Sequence, residues 1–327
     1  MSEEESLGKF PQTDTEVLDN HPLEIMTNST VNWFLVGAYS FVFIVGLILN
    51  LIALIIFCCS IKSRSTVTVY MVNLVFADLL LLISLPLRIY FYAGGFLIES
   101  ICIAVGMFMF INMYGSIFLL ACINCDRFLA ICFPMNMRIK EVRKKASLFC
   151  VGAWILAVGP SIVVKMNNKN ATNECFNNKP IFATQTGAVV STMIVGFGIP
   201  LLSMIICSIA IVKALAKSMA VHTELVNKKK IHRMLVVNIT LFLLCFLPYH
   251  TMLLFLYKSN LDEKMKPYYQ ISLLLACTNT MLDPIIYYFV TKTFKESLSM
   301  KPLRRRMCAF NSSSSDETNH FKMPLNT

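Results

Sequence analysis

Seven stretches of this chain are each apolar over a length near or above the roughly 20 residues that cross a bilayer as an α-helix. They lie at 33–60, 67–93, 100–132, 147–166, 186–213, 231–257 and 268–291. Lipid offers no water to an unpaired peptide group, so only internally hydrogen-bonded structures survive there. The seven stretches therefore predict an all-α membrane protein, a seven-transmembrane helix bundle. Composition agrees with this. Apolar types make up 56% of the 327 residues and charged types 15%, where a soluble domain carries about 25% charged. Mean hydropathy is +0.63. An ordinary soluble enzyme is excluded. Pro86, Pro160, Pro200, Pro248 and Pro284 fall inside the stretches, where neighbouring helices and waters re-satisfy the backbone groups they free.

The net charge of +10 would raise nucleic acid as a partner in a soluble protein. Here the cations are segregated by loop, and the membrane explains them first. Lys62, Arg64, Arg138, Lys140, Arg143, Lys144, Lys145, Lys217, Lys228, Lys229 and Lys230 follow segments one, three and five. The C-terminal tail adds Lys292, Lys295, Lys301, Arg304, Arg305 and Arg306. The opposite loops hold Lys165, Lys169, Lys179, Lys258, Lys264 and Lys266. The positive-inside rule places the N-terminus outside and the C-terminus in the cytoplasm, as an odd number of crossings requires.

Three regions follow. Residues 1–32 are expected to form a disordered extracellular tail; Glu3, Glu4 and Glu5 stand where a cleavable signal peptide would carry cations. Residues 33–300 form the membrane domain, and residues 301–327 a disordered cytoplasmic tail. Most of the twelve Cys lie within apolar runs and read as packing residues. Cys102, which opens segment three, and Cys175, in the second outer loop, lie outside the apolar cores on the oxidising side, and are expected to form a disulfide over the mouth of the bundle. Asn28 and Asn170 are outer-side glycosylation acceptors, whereas Asn238 sits inside segment six and is not one.

Polar residues inside the membrane are costly, about 2.5–3.5 kcal/mol for a charge at mid-bilayer on insertion scales. Asp78 lies mid-segment two and Asp283 in segment seven. Asn112 and Ser116 are four apart on segment three, as are Asn279 and Asp283 on segment seven, so each pair shares a helix face. Converging, they make an oxygen-rich pocket suited to Na⁺, or equally a water-filled network. Asp126-Arg127-Phe128 stands at the inner end of segment three.

Landmarks occur in order along the segments: Gly46 to Asn50, Leu74 to Asp78, Cys102, Asp126-Arg127-Phe128, Trp154, Pro200, Cys245-Phe246-Leu247-Pro248 and Asp283-Pro284 through Tyr287. With them the chain resembles the class A, rhodopsin-like G-protein-coupled receptors over 33–300. Lys292 to Leu298 resembles the family's short amphipathic eighth helix. The resemblance implies that Arg127 faces the G protein, that Tyr287 supports the open state, and that Ile117, Pro200 and Phe242 pack as a triad beneath the ligand. It also favours sodium over water at Asp78, Asn112, Ser116, Asn279 and Asp283. Four positions depart from the pattern. Phe246 replaces Trp, Ser208 replaces Tyr, Lys228 stands where some members carry an acid that locks Arg127, and Asp283 replaces Asn.

Aminergic members carry Asp where this chain has Met109, so an amine ligand is not expected. Arg88 near the outer end of segment two suits a phosphate or carboxylate, with snorkelling to headgroups as its alternative. Lys258 ends segment six on the same side. Met109, Phe110 and Phe246 would form an apolar floor, with Tyr90, Tyr114, Tyr249 and His250 able to add hydrogen bonds. Phe128, Asp283 and the run Ser84 to Tyr92 resemble the purinergic and lysophospholipid branch, nearest to receptors for lysophosphatidic acid or lysophosphatidylinositol. The expected function is transduction of an anionic lipid signal to a heterotrimeric G protein; nucleotide or small carboxylate receptors are the alternative within the branch. A transporter or ion pump is the alternative of another class. Segment seven offers no Lys for a retinal Schiff base, and no catalytic HExxH or GxSxG is present, so an enzyme is not expected. In the tail, Ser312, Ser313, Ser314 and Ser315 are candidates for kinases and arrestin, and Cys308 for palmitoylation.

Overall fold

The computed structural model describes residues 31–59, 65–167, 176, 183, 185–217, 222–258 and 264–290. Both tails, the run predicted as an eighth helix, Cys175, Asn28, Asn170, Cys308 and Ser312 to Ser315 lie outside the described residues, as do the side chains of Lys228 and Tyr287. The helices are α1 (Trp33–Cys59), α2 (Thr66–Tyr92), α3 (Glu99–Cys132), α4 (Met137–Lys144) and α5 (Ala146–Asn167). They continue with α6 (Thr186–Ser191), a π-helical stretch Thr192–Gly198, α7 (Ile199–Lys217), α8 (His222–Lys258) and α9 (Lys266–Val290). Segment five is thus α6, the π stretch and α7 in line.

Several of these boundaries have a local cause. Ser65 caps α2, its Oγ accepting the Thr68 N–H at 3.3 Å. The same helix ends where Gly94 takes φ 91°, a conformation that costs a residue with a Cβ. Asn136 caps α4 by accepting the N–H groups of Arg138 and Ile139 at 3.0 and 3.3 Å. In segment five, Pro200 has no N–H to offer the carbonyl one turn back, and the backbone before it widens into the π-helix. Gly196 lies in that stretch because a Cβ there would stand 2.9 Å from the Tyr114 ring.

The helices are sided, but inversely to a soluble bundle. Phe41, Ile48 and Ile55 of α1 are exposed one above another, as are Leu148, Val151 and Ile155 of α5 and Ile199, Leu202, Ile206 and Ile209 of α7. These apolar stripes suit a lipid solvent. The inward stripe of α2 is instead mixed: Leu74, Asp78, Leu81, Leu85, Arg88 and Tyr92 are all buried. Five spans among the described residues, α6 through α7 counted as one, are long and apolar enough to cross a membrane, and the pair α4–α5, bent by 52°, makes a sixth. The seventh crossing, α9, has 25 residues, about 37 Å at 1.5 Å per residue. Asn279, Thr280 and Asp283 dilute its apolar character.

Consecutive helices pack as neighbours, α1 on α2, α2 on α3 and α8 on α9, and α9 returns to α1 to close the ring. The helix α3 runs through the middle, touching α2, α5, α7, α8 and α9. Trp154 of α5 donates its indole N–H to Asn73 of α2 at 2.9 Å. Cys102 at the start of α3 is held in a disulfide. The predicted segments therefore appear as helices, with α8 beginning nine residues earlier than segment six. The helix α4 was not predicted.

Candidate functional site

Three layers of unusual side chains lie along the inside of this ring, named outer, middle and inner after the sides that the loop cations predict. In the outer layer Arg88 is only 2% exposed. Its Nη1 donates to the phenol oxygen of Tyr39 and to the sulfur of Met109, both at 3.1 Å. The guanidinium lies over the rings of Phe176, at 4.3 Å, and Tyr39, at 5.4 Å. Tyr92 stacks on Tyr39 with centroids 5.7 Å apart, and Phe91 meets Phe176 edge-on. Phe176 takes φ 55°, a left-handed conformation costing about 1–2 kcal/mol for an L-residue. Its contacts with Arg88 and Phe91 offset that cost.

Arg88 forms no ion pair among the described residues. A buried cation without an anion is expensive, and aromatic faces compensate it only in part. The snorkelling alternative fails, because the side chain turns inward. Met109, read as apolar floor, accepts a hydrogen bond from this cation. Tyr90 does not join the site: two residues on along the helix it is 54% exposed and lies against Gly95. Lys258, at the end of α8, is exposed.

Below this lies a floor of rings. Phe110 and Tyr249 meet at 5.9 Å, and Tyr114 and Tyr249 each present a ring to His250, at 6.0 and 5.3 Å. Phe197, from the π-helical stretch, stacks on His250 at 4.3 Å and on Phe242 at 5.7 Å. Phe242 in turn meets Phe246 edge-on at 5.3 Å. Ile117, Pro200, Phe242 and Phe246 are all buried, and Pro248 is half-buried.

The middle layer is oxygen-rich. Asp78, Asn112, Ser116, Asn279 and Asp283 are each at most 1% exposed. Asn112 donates to Asp78 at 3.0 Å and Asn279 to Asp283 at 2.9 Å, and the two carboxyl groups adjoin. Asn50 and Thr280 extend the cluster, the Asn50 amide donating to the Thr280 carbonyl at 2.7 Å. Oxygens of Asn50, Asp78, Ser116, Asn279, Thr280 and Asp283 are buried with no hydrogen-bond partner. Orphaned hard oxygens beside two carboxyl groups fit a small hard cation. Among the described residues no cluster of three His, Cys, Asp or Glu side chains suits a transition metal. Pro284, next to Asp283, is buried.

The inner layer sits at the end of α3. Asp126 is 3% exposed, and both its oxygens accept from Arg143 of α4, at 2.8 Å from Nε and 3.0 Å from Nη2. That bidentate pairing holds the Arg143 guanidinium above its ordinary value. Arg127 is half-buried, next to Asp126. Phe128 meets Phe133 edge-on at 5.7 Å. Asn124 donates to the Met204 carbonyl at 2.9 Å and to Ser208 Oγ at 3.1 Å, joining α3 to α7. Ser208 is where the resemblance leads one to expect Tyr.

Tyr39, Tyr92, Phe176, Phe197, Arg143, Asn50 and Thr280 were not foreseen as site residues. Asn50 and Tyr92 fall within runs named as landmarks, Thr280 adjoins Asn279 and Phe197 lies three residues before Pro200, whereas Tyr39, Phe176 and Arg143 carry no such mark in the sequence.

A ring of helices with a buried cation in one layer, an oxygen cluster in the next and an acid–Arg pair in the third is the arrangement that the resemblance to seven-helix receptors implied. The profile of the 7 transmembrane receptor (rhodopsin family) matches residues 49–287, and the chain belongs to that family. It is similar to human lysophosphatidic acid receptor 6, 35% identical over 298 residues, covering 84% of this chain and 86% of that one. Human lysophosphatidic acid receptor 4 is 35% identical over 282 residues, 80% and 75% of the two chains. Bovine lysophosphatidic acid receptor 5 is 33% identical over 298 residues, 84% and 80%. As a member of this family the protein is a multi-pass membrane receptor that signals through a G protein, and is not an enzyme.

Proposed function

We propose that this receptor answers to an extracellular lysophospholipid of the lysophosphatidic acid class, whose phosphate pairs with Arg88. One observation carries the reading: Arg88 is a buried guanidinium with no anion beside it among the described residues. The names of the lysophosphatidic acid receptors at 33–35% identity support the lipid. The apolar rings of Phe110, Phe197 and Phe246 below the cation suit an acyl chain. Met109, Phe110, Tyr114, Tyr249 and His250 would line the ligand's path, and Arg127 would meet the G protein when α8 swings outward. Ligand and G protein each favour the open state, so each strengthens the other.

Further parts of the reading belong to the same proposal. Na⁺ would sit among Asp78, Asn112, Ser116, Asn279 and Asp283 and favour the inactive state. The receptor would lie in the plasma membrane with its N-terminus outside, as the loop cations indicate. Cys102 would pair with Cys175. Arrestin and receptor kinases would act on Ser312 to Ser315, with Cys308 palmitoylated and Asn28 and Asn170 glycosylated. The test is nucleotide exchange on a purified heterotrimeric G protein by the reconstituted receptor. Oleoyl lysophosphatidic acid should stimulate exchange, whereas nucleoside diphosphates and succinate should not. A response to nucleotides alone would replace the lipid reading.

A further inference from the structure

We infer that the floor beneath Arg88 is a second, neutral subsite, in which His250, Tyr249 and Tyr114 together take a hydroxyl group of the ligand. The inference rests on the lysophospholipid reading above and adds a requirement to it. Tyr249 and His250 are fully buried. His250 Nε2 and the Tyr249 and Tyr114 hydroxyls are buried without a well-formed hydrogen bond, although the two phenols adjoin each other and Tyr114 also adjoins Thr192. Polar atoms so placed are rare in proteins and point to a missing partner.

The identity of that partner follows from the histidine. His250 Nδ1 lies 2.7 Å from the Phe246 carbonyl oxygen. A carbonyl can only accept, so Nδ1 carries the hydrogen, and in the neutral ring Nε2 is left with a lone pair. The ring is fixed in that pose by Phe197 on one face and by the rings of Tyr114 and Tyr249. The site therefore offers Nε2, which can only accept, beside two adjoining phenols, at least one of which has its O–H free to donate. A hydroxyl satisfies both kinds at once, donating to Nε2 and accepting from a tyrosine. An ether or ester oxygen serves the tyrosines alone. An anion would lie beside a lone pair with no cation, at heavy cost.

The depth also fits. Met109, which touches the Arg88 guanidinium, and Tyr114 lie five residues apart on α3, about 7.5 Å along its axis. A phosphate held at Arg88 thus leaves the glycerol backbone, with its free hydroxyl, above or level with the tyrosines. The close approach of Tyr114 to Gly196 keeps its hydroxyl in this position.

The experiment compares oleoyl lysophosphatidic acid with oleoyl propanediol phosphate, which lacks only the glycerol hydroxyl. G-protein activation is measured alongside receptor surface density. In the wild-type receptor the hydroxylated lipid should be more potent by at least about ten-fold. In His250→Phe, which keeps the ring stack, the two lipids should become equipotent, and in Tyr249→Phe the ratio should shrink. Arg88→Ala should weaken both lipids alike and leave their ratio unchanged. Equal potency in the wild type would overturn the subsite and leave the Arg88 reading intact, the orphaned atoms then holding water. A wild-type ratio preserved in whichever of the two variants reaches the surface would overturn it too. If the wild type answers neither lipid, the lysophospholipid reading falls and takes the subsite with it.

Discussion

Arg88 is the residue on which the outer layer turns, because it is an ion held in a nearly dry place. Hydrogen bonds to charged groups are worth about 1.5–3 kcal/mol. Arg88→Ala should therefore cost roughly 10- to 150-fold in potency toward an anionic lipid. Arg88→Lys keeps the charge but not the planar fork, and its aromatic stacking is poorer, so it should fall between. Tyr90→Ala is the matched control: the side chain is 54% exposed and faces away, and potency should not change. Lys258→Ala, exposed at the end of α8, should cost little because water screens it. Dose–response curves corrected for surface density check all four. Normal potency of Arg88→Ala at normal surface density would remove the anionic-head site.

At the scale of elements, two contacts set how the helices meet. The π-helical stretch before Pro200 brings Gly196 against Tyr114, where an added Cβ would stand 2.9 Å from the ring. Gly196→Ala should overpack this contact and destabilise the receptor by about 1–3 kcal/mol. Gly106→Ala on α3 meets nothing within 4 Å, and should be neutral or stabilising by up to about 1 kcal/mol, as helix propensity requires. Thermal unfolding of the solubilised receptor separates the two signs.

The second contact joins α3 to α4. Arg143→Ala strips both hydrogen bonds from a carboxylate that is 3% exposed, a loss of about 2 kcal/mol, with Arg143 itself 25% exposed and partly screened. Lys144→Ala breaks a pair whose members are 71% and 60% exposed and should not shift the melting curve measurably. An equal shift in both variants would mean that the Asp126 pairing contributes nothing.

These elements also show where sequence reading stops. The spans were legible because lipid demands continuous apolar runs, and Asp78, Asn279 and Asp283 were legible because a membrane makes polar residues conspicuous. Arg143 was not, since within Arg138 to Lys145 any cation reads equally as a solvated inner-face charge. Its partner lies 17 residues back across a turn. The direction of Arg88 was open for the same reason: snorkelling and inward burial need the same residue at the same place. Tyr39 and Phe176 come from distant parts of the chain and carry no local mark of their meeting at Arg88.

At the scale of the whole molecule the outer and inner layers communicate only if something between them has two arrangements, and the oxygen cluster lies between. Asp78 comes from α2, Asn112 and Ser116 from α3, and Asn279 and Asp283 from α9, so an ion held among them ties three helices together. Activation that moves those helices apart must weaken the ion, and by linkage the ion must then weaken the agonist by the same factor. Adding NaCl should lower agonist potency relative to an equal concentration of N-methylglucamine chloride, which holds ionic strength and surface screening constant. Asp78→Asn keeps the side chain's shape and its place beside Asn112 but removes a charge, and it should flatten the sodium response. A coupling of 1–3 kcal/mol, common between sites, would appear as a shift of about 5- to 150-fold. The same salt substitution should leave the potency ratio of Arg88→Ala to wild type unchanged, since Arg88 lies in a separate layer. Equal sodium sensitivity in wild type and Asp78→Asn would remove the ion from this cluster and leave a network of water in its place.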